Sequence, residues 1–159
     1  MSAGIEVVAQ PRIIGIGSPF GADRVGWCVA ECLKRSNQLR GMPGVAWEVL
    51  IRDRPGAMLL NDLHGIERAV LIDAMCSSDE IGRVRCLTID DAITHCGLSS
   101  SHGFGVGEAL SLGRMLGELP RDLSIFGVEI PVDGEELSGD EFEAMAHRAA
   151  MLIEGQLLG

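Results

Sequence analysis

Two aspartates and a histidine are the side chains of this sequence best placed to share a ligand: Asp23, Asp73 and His102. Asp23 lies in "GIGSPFGADRVG" (Gly15 to Gly26), where an apolar strand gives way to a helix. Asp73 ends the apolar run of "ERAVLIDAM", and His102 stands in the polar, glycine-flanked stretch "SSSHGFG". Two carboxylates and an imidazole suit divalent ions that accept both donor types, such as zinc, nickel or manganese. Three protein ligands leave coordination positions for water or a substrate group. Each residue also has a plain structural use: Asp23 as a helix cap, Asp73 as a turn residue, His102 as a solvated loop side chain. Residue type and spacing leave both readings open.

The glycines of the first loop raise another chemistry. Gly15, Gly17 and Gly21 give G-x-G-x-x-x-G between a strand and a helix, near a dinucleotide fingerprint, but with the third glycine one residue late. The ribose-binding acid expected about 20 residues on is missing, since the nearest acid after the second strand is Asp53. Asp23 would also place a negative charge where a pyrophosphate rests.

The elements that must position these residues follow from hydrophobic periodicity. A strand is expected over Arg12–Gly17 and a helix over Val25–Ser36, with Val25, Cys28, Val29, Cys32 and Leu33 on one face. "VAWEVLI" (Val45–Ile51) alternates as a second strand, and Pro55 opens a short helix ending near His64. Ala69–Ile72 reads as a buried parallel strand, and Gly82–Ile89 as a strand with one wet face nearer a sheet edge. Asp90–Ser101 reads as polar loop with at most a turn of helix; a helix follows through Gly103–Gly117, a strand through Asp122–Ile130, and a closing helix from Ser138. This alternation means an α/β sandwich around a mostly parallel sheet. Ligands in such sheets bind beyond the carboxyl ends of the strands, so Asp23 and Asp73 are expected on one rim.

Composition narrows the function classes. The net charge of −10 disfavours nucleic acid and anionic membranes as partners. Aromatics make up only 4% and tyrosine is absent, so the core must be aliphatic. The five cysteines (28, 32, 76, 86 and 96) include no C-x-x-C, and no leader or long apolar run is evident. A cytoplasmic protein with reduced thiols is the expectation.

Other candidates have plainer uses. His64 suits a helix end. His95 and Cys96 are neighbours with nothing to complete a triad, and His147 falls inside the closing helix. Glu108 is a candidate to orient His102 or a surface acid. Glu129, at the end of the last strand, is expected to face the rim and to meet a basic residue of a substrate.

The segments "GIGSPFGADRVGW", "LIDAM", "SSHGFGVGEALSLGRMLGELP" and "IFGVEI", in that order, resemble the hydrogenase maturation proteases. These endopeptidases trim the C-terminus of the NiFe-hydrogenase large subunit. The resemblance runs from about Ile13 to the closing helix. It implies an α/β three-layer sandwich with a twisted, mostly parallel five-stranded sheet between helices, one domain over residues 1–159. It implies an aspartic-type, nickel-dependent endopeptidase acting on the large-subunit precursor after nickel insertion, with Asp23, Asp73 and His102 as both the nickel-binding and the catalytic set. The nickel arrives with the substrate, although other divalent ions fit the same donors. A cytoplasmic monomer is implied. The resemblance departs in the first loop, where Ser18 replaces an asparagine and Ala22 an acid, and at "RDRPG", where Asp53 is either a substitute acid or a turn residue. The competing functions are a small nucleotide-binding α/β module and a non-cleaving chaperone of an immature hydrogenase subunit.

Overall fold

The computed structural model describes residues 10–95, 106–132 and 136–159. Its centre is a five-stranded sheet in the order β2-β1-β3-β5-β4. The strands are β1 (Arg12–Gly17), β2 (Glu48–Asp53), β3 (Arg68–Met75), β4 (Val84–Leu87) and β5 (Asp122–Glu129). All neighbours are parallel except β4, which runs antiparallel to β5 at the sheet edge. The helices are α1 (Val25–Lys34), α2 (Asn37–Arg40), α3 (Leu59–Leu63), α4 (Ile89–His95), α5 (Val106–Leu116) and α6 (Gly139–Leu158).

Side chains alternate across the sheet, so each central strand feeds two cores. Ile13, Val70, Ile72, Phe126 and Val128 pack against α1 and α6. Ile14, Leu71 and Ile125 pack on the other face with Leu59 and Leu63 of α3, Ala92 of α4, and Ala109 and Leu110 of α5. Burial on both faces explains why β1 and β3 read as continuous apolar runs. The long helix α6 starts with a capping box: Ser138 accepts from the Glu141 amide, and the Glu141 side chain accepts from the Ser138 amide.

The α/β architecture expected from the alternation is present, with β1 at the expected bounds. Several elements differ: α1 ends at Lys34, α2 forms at Asn37–Arg40 where a break is expected, and β3 extends to Met75. The second strand starts at Glu48, not Val45, because pairing begins where the Glu48 amide donates to Pro11 O at 2.9 Å. The fourth strand is shorter, Val84–Leu87. The stretch expected as loop after it opens with α4. There Thr88 Oγ1 accepts from the Asp91 amide at 3.0 Å, and the Asp91 carboxylate accepts from the Thr88 amide at 3.2 Å, so two donors of the helix start are satisfied reciprocally. Among the described residues no helix is long and apolar enough to cross a membrane.

Candidate functional site

The strand order reverses direction between β1 and β3, one leading to β2 and the other to β5. In doubly wound sheets this switch point opens a crevice beyond the strand carboxyl ends. The registers show where it opens. β1 pairs with β3 only as far as Gly15↔Ile72, then continues beside β2 to Gly17↔Asp53. β3 continues beside β5 to Met75↔Glu129. Asp73 is therefore within β3, not past its end, at the first position where β1 is no longer alongside.

Asp23 reaches the same crevice from the 3-10 turn Gly21–Arg24 that joins β1 to α1. Close backbone packing sets its place. A Cβ on Gly26 would sit 2.6 Å from Ile72 O and closer still to Ile16 O, so only glycine lets α1 start against the ends of both strands. A Cβ on Gly17 would collide with the Asp23 carbonyl. The space around Gly17 and Gly26 is thus filled by the chain itself, which leaves no room for a phosphate against either. The buried Ser18 hydroxyl donates to Asp23 Oδ2 at 2.5 Å and fixes the carboxylate. In the sequence Ser18 stands out only as a departure from the family pattern; a hydroxyl five residues before the acid is the available signal.

Asp73 shares its sheet face with Leu71, the face that α5 covers. Some of the residue reaches solvent, but its carboxyl group is deeply set. Burial pushes that carboxyl up to about 7; the nearby negative charge of Asp23 adds to the rise, and a 2.8 Å hydrogen bond from the Ala74 amide opposes it. The two acids therefore sense each other electrostatically across the crevice. A like-charged pair with one member desolvated favours a proton or a cation between them.

His102 lies outside the described residues, as does Cys96; in sequence His102 precedes the start of α5 by four positions. Among the described residues no group of three His, Cys, Asp or Glu side chains could hold a metal ion.

The remaining candidates are placed as follows. Glu129 does not offer its carboxylate to a substrate. It is 1% exposed, and it accepts from the Ser77 amide at 2.7 Å, the Ser77 hydroxyl at 2.8 Å and the Asp79 amide at 3.2 Å. The turn after β3 takes three of its acceptor sites and covers the group, which corrects the expected contact with a basic substrate residue. In the same turn Asp79 is held down to about 2 by the Glu80 amide and the guanidinium groups of Arg85 and Arg83. Asp53 is exposed and pairs with Arg54 at 2.7 Å, at a turn where Arg54 has φ +41°. Glu108 is exposed in the first turn of α5, and His64 and His147 are exposed at the end of α3 and on α6. Arg54 extends over the ring of Phe20, 5.5 Å from its centroid, and Phe20 is 68% exposed three residues before Asp23.

Comparison with known proteins agrees with the fold. The HycI hydrogenase maturation protease family model matches residues 29–156. Among solved structures, the chain is similar to the hydrogenase maturating endopeptidase HybD from E. coli, with 22% identity and a TM-score of 0.72 over 94% of this chain and 92% of that one. It is similar to the NiFe hydrogenase maturation protease HycI from Thermococcus kodakarensis, with 25% identity and a TM-score of 0.61 over 96% and 94% of the two chains. A hydrogenase 2 maturation peptidase from a Thaumarchaeota archaeon shares the fold at 23% identity and a TM-score of 0.58, covering 95% of this chain and 100% of that one. No curated protein matches by sequence. With the family model spanning most of the chain, the protein belongs to the hydrogenase maturation proteases and is an endopeptidase, a hydrolase of peptide bonds.

Proposed function

We propose that this chain removes the C-terminal extension of a NiFe-hydrogenase large-subunit precursor once nickel has been inserted, and that Asp23, Asp73 and His102 recognise the nickel carried by that substrate. The reading is supported by the placement of Asp23, on the turn after β1, and of Asp73, on β3 just beyond its pairing with β1, at the β1/β3 switch point. Such a pair is poorly matched to an empty rim and well matched to an incoming cation. Carboxylate and imidazole donors fit nickel, and three of them leave positions for the precursor's own ligands.

The substrate-borne ion supplies positive charge that polarises a carbonyl or acidifies a water. The chain's residues do the rest. Ser18 fixes the Asp23 carboxylate. The carboxylates at the crevice accept the proton of the attacking water, and that proton passes to the leaving amine as the peptide bond breaks. The glycine-rich loop holds Asp23 on backbone packing rather than on mobile side chains, so the substrate meets a preformed acid pair.

The test is processing of purified precursor, loaded with nickel or free of it, followed by mass spectrometry of the released peptide. Cleavage of the loaded form alone is the expected result. Asp23→Asn and His102→Ala are expected to lower processing at least about a hundredfold while thermal unfolding stays near wild type. Wild-type processing by either variant would remove that residue from the site.

A further inference from the structure

We infer that the outer edge of β2 is a docking strand for the substrate: it takes up the precursor's C-terminal tail as an added, extended β-strand. The inference rests on the function proposed above. β2 has one neighbour, β1, and among the described residues no strand lies outside it. In its parallel ladder the amides of Glu48 and Arg54 donate to Pro11 O and Gly17 O, both at 2.9 Å. Alternation turns Leu50 and Arg52 the same way, so the backbone groups of Val49, Ile51 and Asp53 point outward. The burial pattern agrees. Every residue from Glu48 to Arg52 is half-buried, whereas β1 and β3 are buried over most of their lengths. β2 is covered on its faces and open at its side. One device partly guards it: the Arg52 guanidinium donates to Ile51 O at 3.2 Å, leaving the outward amides available.

An exposed edge of parallel sheet invites strand addition, in which main-chain hydrogen bonds supply affinity without demanding a particular sequence. An endopeptidase must hold its substrate extended near the scissile bond, and this edge leads there. β2 ends at Asp53, beside Gly17, on the rim that carries Asp23. The crevice lies about 10–14 Å from the outer edge, two to three strand spacings of ~4.8 Å. About four extended residues at ~3.3 Å each span that gap. The exposed Phe20 ring with Arg54 against it borders this route. A second copy of this chain is the poorer occupant, because two molecules of net charge −10 repel.

Hydrogen exchange on the wild-type chain, with and without a synthetic peptide of the C-terminal extension, tests the inference. The Val49, Ile51 and Asp53 amides are expected to slow at least about tenfold, while Leu50 and Arg52, already bonded to β1, change little. Ile51→Pro removes one outward amide at a position where an edge strand tolerates proline. It is expected to raise KM for the nickel-loaded precursor about tenfold with kcat near wild type; should this variant misfold, the exchange measurement on the wild type decides. Processing by a chain whose three amides stay unprotected overturns the docking edge. So does a dimer that Ile51→Pro dissociates, which would give the edge to a second copy. Absence of processing by the wild-type chain instead overturns the function on which the inference rests.

Discussion

At the scale of single residues, Asp73 carries the most informative property in the molecule. Its carboxyl rises from an ordinary 3.8 to about 7, by burial first and by Asp23 second. A raised acid binds its proton more tightly in the folded chain than in the unfolded one. Between about pH 4 and pH 7 the folded state holds a proton that the unfolded state has lost, so stability falls as pH rises through that window. Asp73→Asn removes this dependence. The variant is expected to melt close to wild type at pH 4 and several degrees higher at pH 8, where roughly each kcal/mol moves Tm by ~2–4 °C in a chain of this size. Equal melting at both values would show that the carboxyl is not desolvated. The rim placement of Asp23 and Asp73 was legible because one follows an apolar strand and the other closes the apolar run of its neighbour, and acids near strand carboxyl ends in an α/β pattern collect on one rim. Ser18 and Glu129 were not legible, for opposite reasons. The Ser18 hydroxyl acts through a loop conformation that no periodicity encodes. Glu129 closes β5, but its partners come from a turn 50 to 52 positions away in sequence, and only coordinates show that turn folding back over it.

At the scale of elements, the glycine loop shows how one motif admits two chemistries. Strand, glycines and helix start are common to phosphate cradles and to tight strand–helix packing. Gly26 separates them, since its missing side chain is replaced by the carbonyls of Ile16 and Ile72. Gly26→Ala is expected to cost about 3 kcal/mol or more in denaturant unfolding. Gly21→Ala, in open space but at φ +55°, should cost only about 1 kcal/mol. Equal costs would mean that α1 can shift off the sheet without penalty. The helix α4 carries its own start signal: Thr88-Ile89-Asp90-Asp91 has the spacing of a capping box, although the polar residues after it resemble a loop.

At the scale of the whole molecule, one sheet serves two cores, and this was the most legible level. Continuous apolar runs in β1 and β3 can only mean helices on both faces. Neighbouring residues of β3, Val70 and Leu71, belong to opposite cores. Neither core can come apart without the strand they share. Leu71→Ala is expected to destabilise by about 2–5 kcal/mol, and Val70→Ala by less. Both should lower a single transition seen alike by far-UV circular dichroism and by the fluorescence of Trp27 and Trp47. Two separated transitions in either variant would show that the layers unfold independently.

The hold of Glu129 on the turn after β3 has a consequence for how this chain can diverge. Two of its three donors are main-chain amides, at Ser77 and Asp79, and every amino acid except proline supplies one. Spelling in that turn is therefore freer than its length. Exchanging its side chains leaves the amides in reach, whereas inserting or deleting one residue strands an acid in a dry place. Relatives that keep this glutamate should keep the residue count of the turn while its lettering drifts.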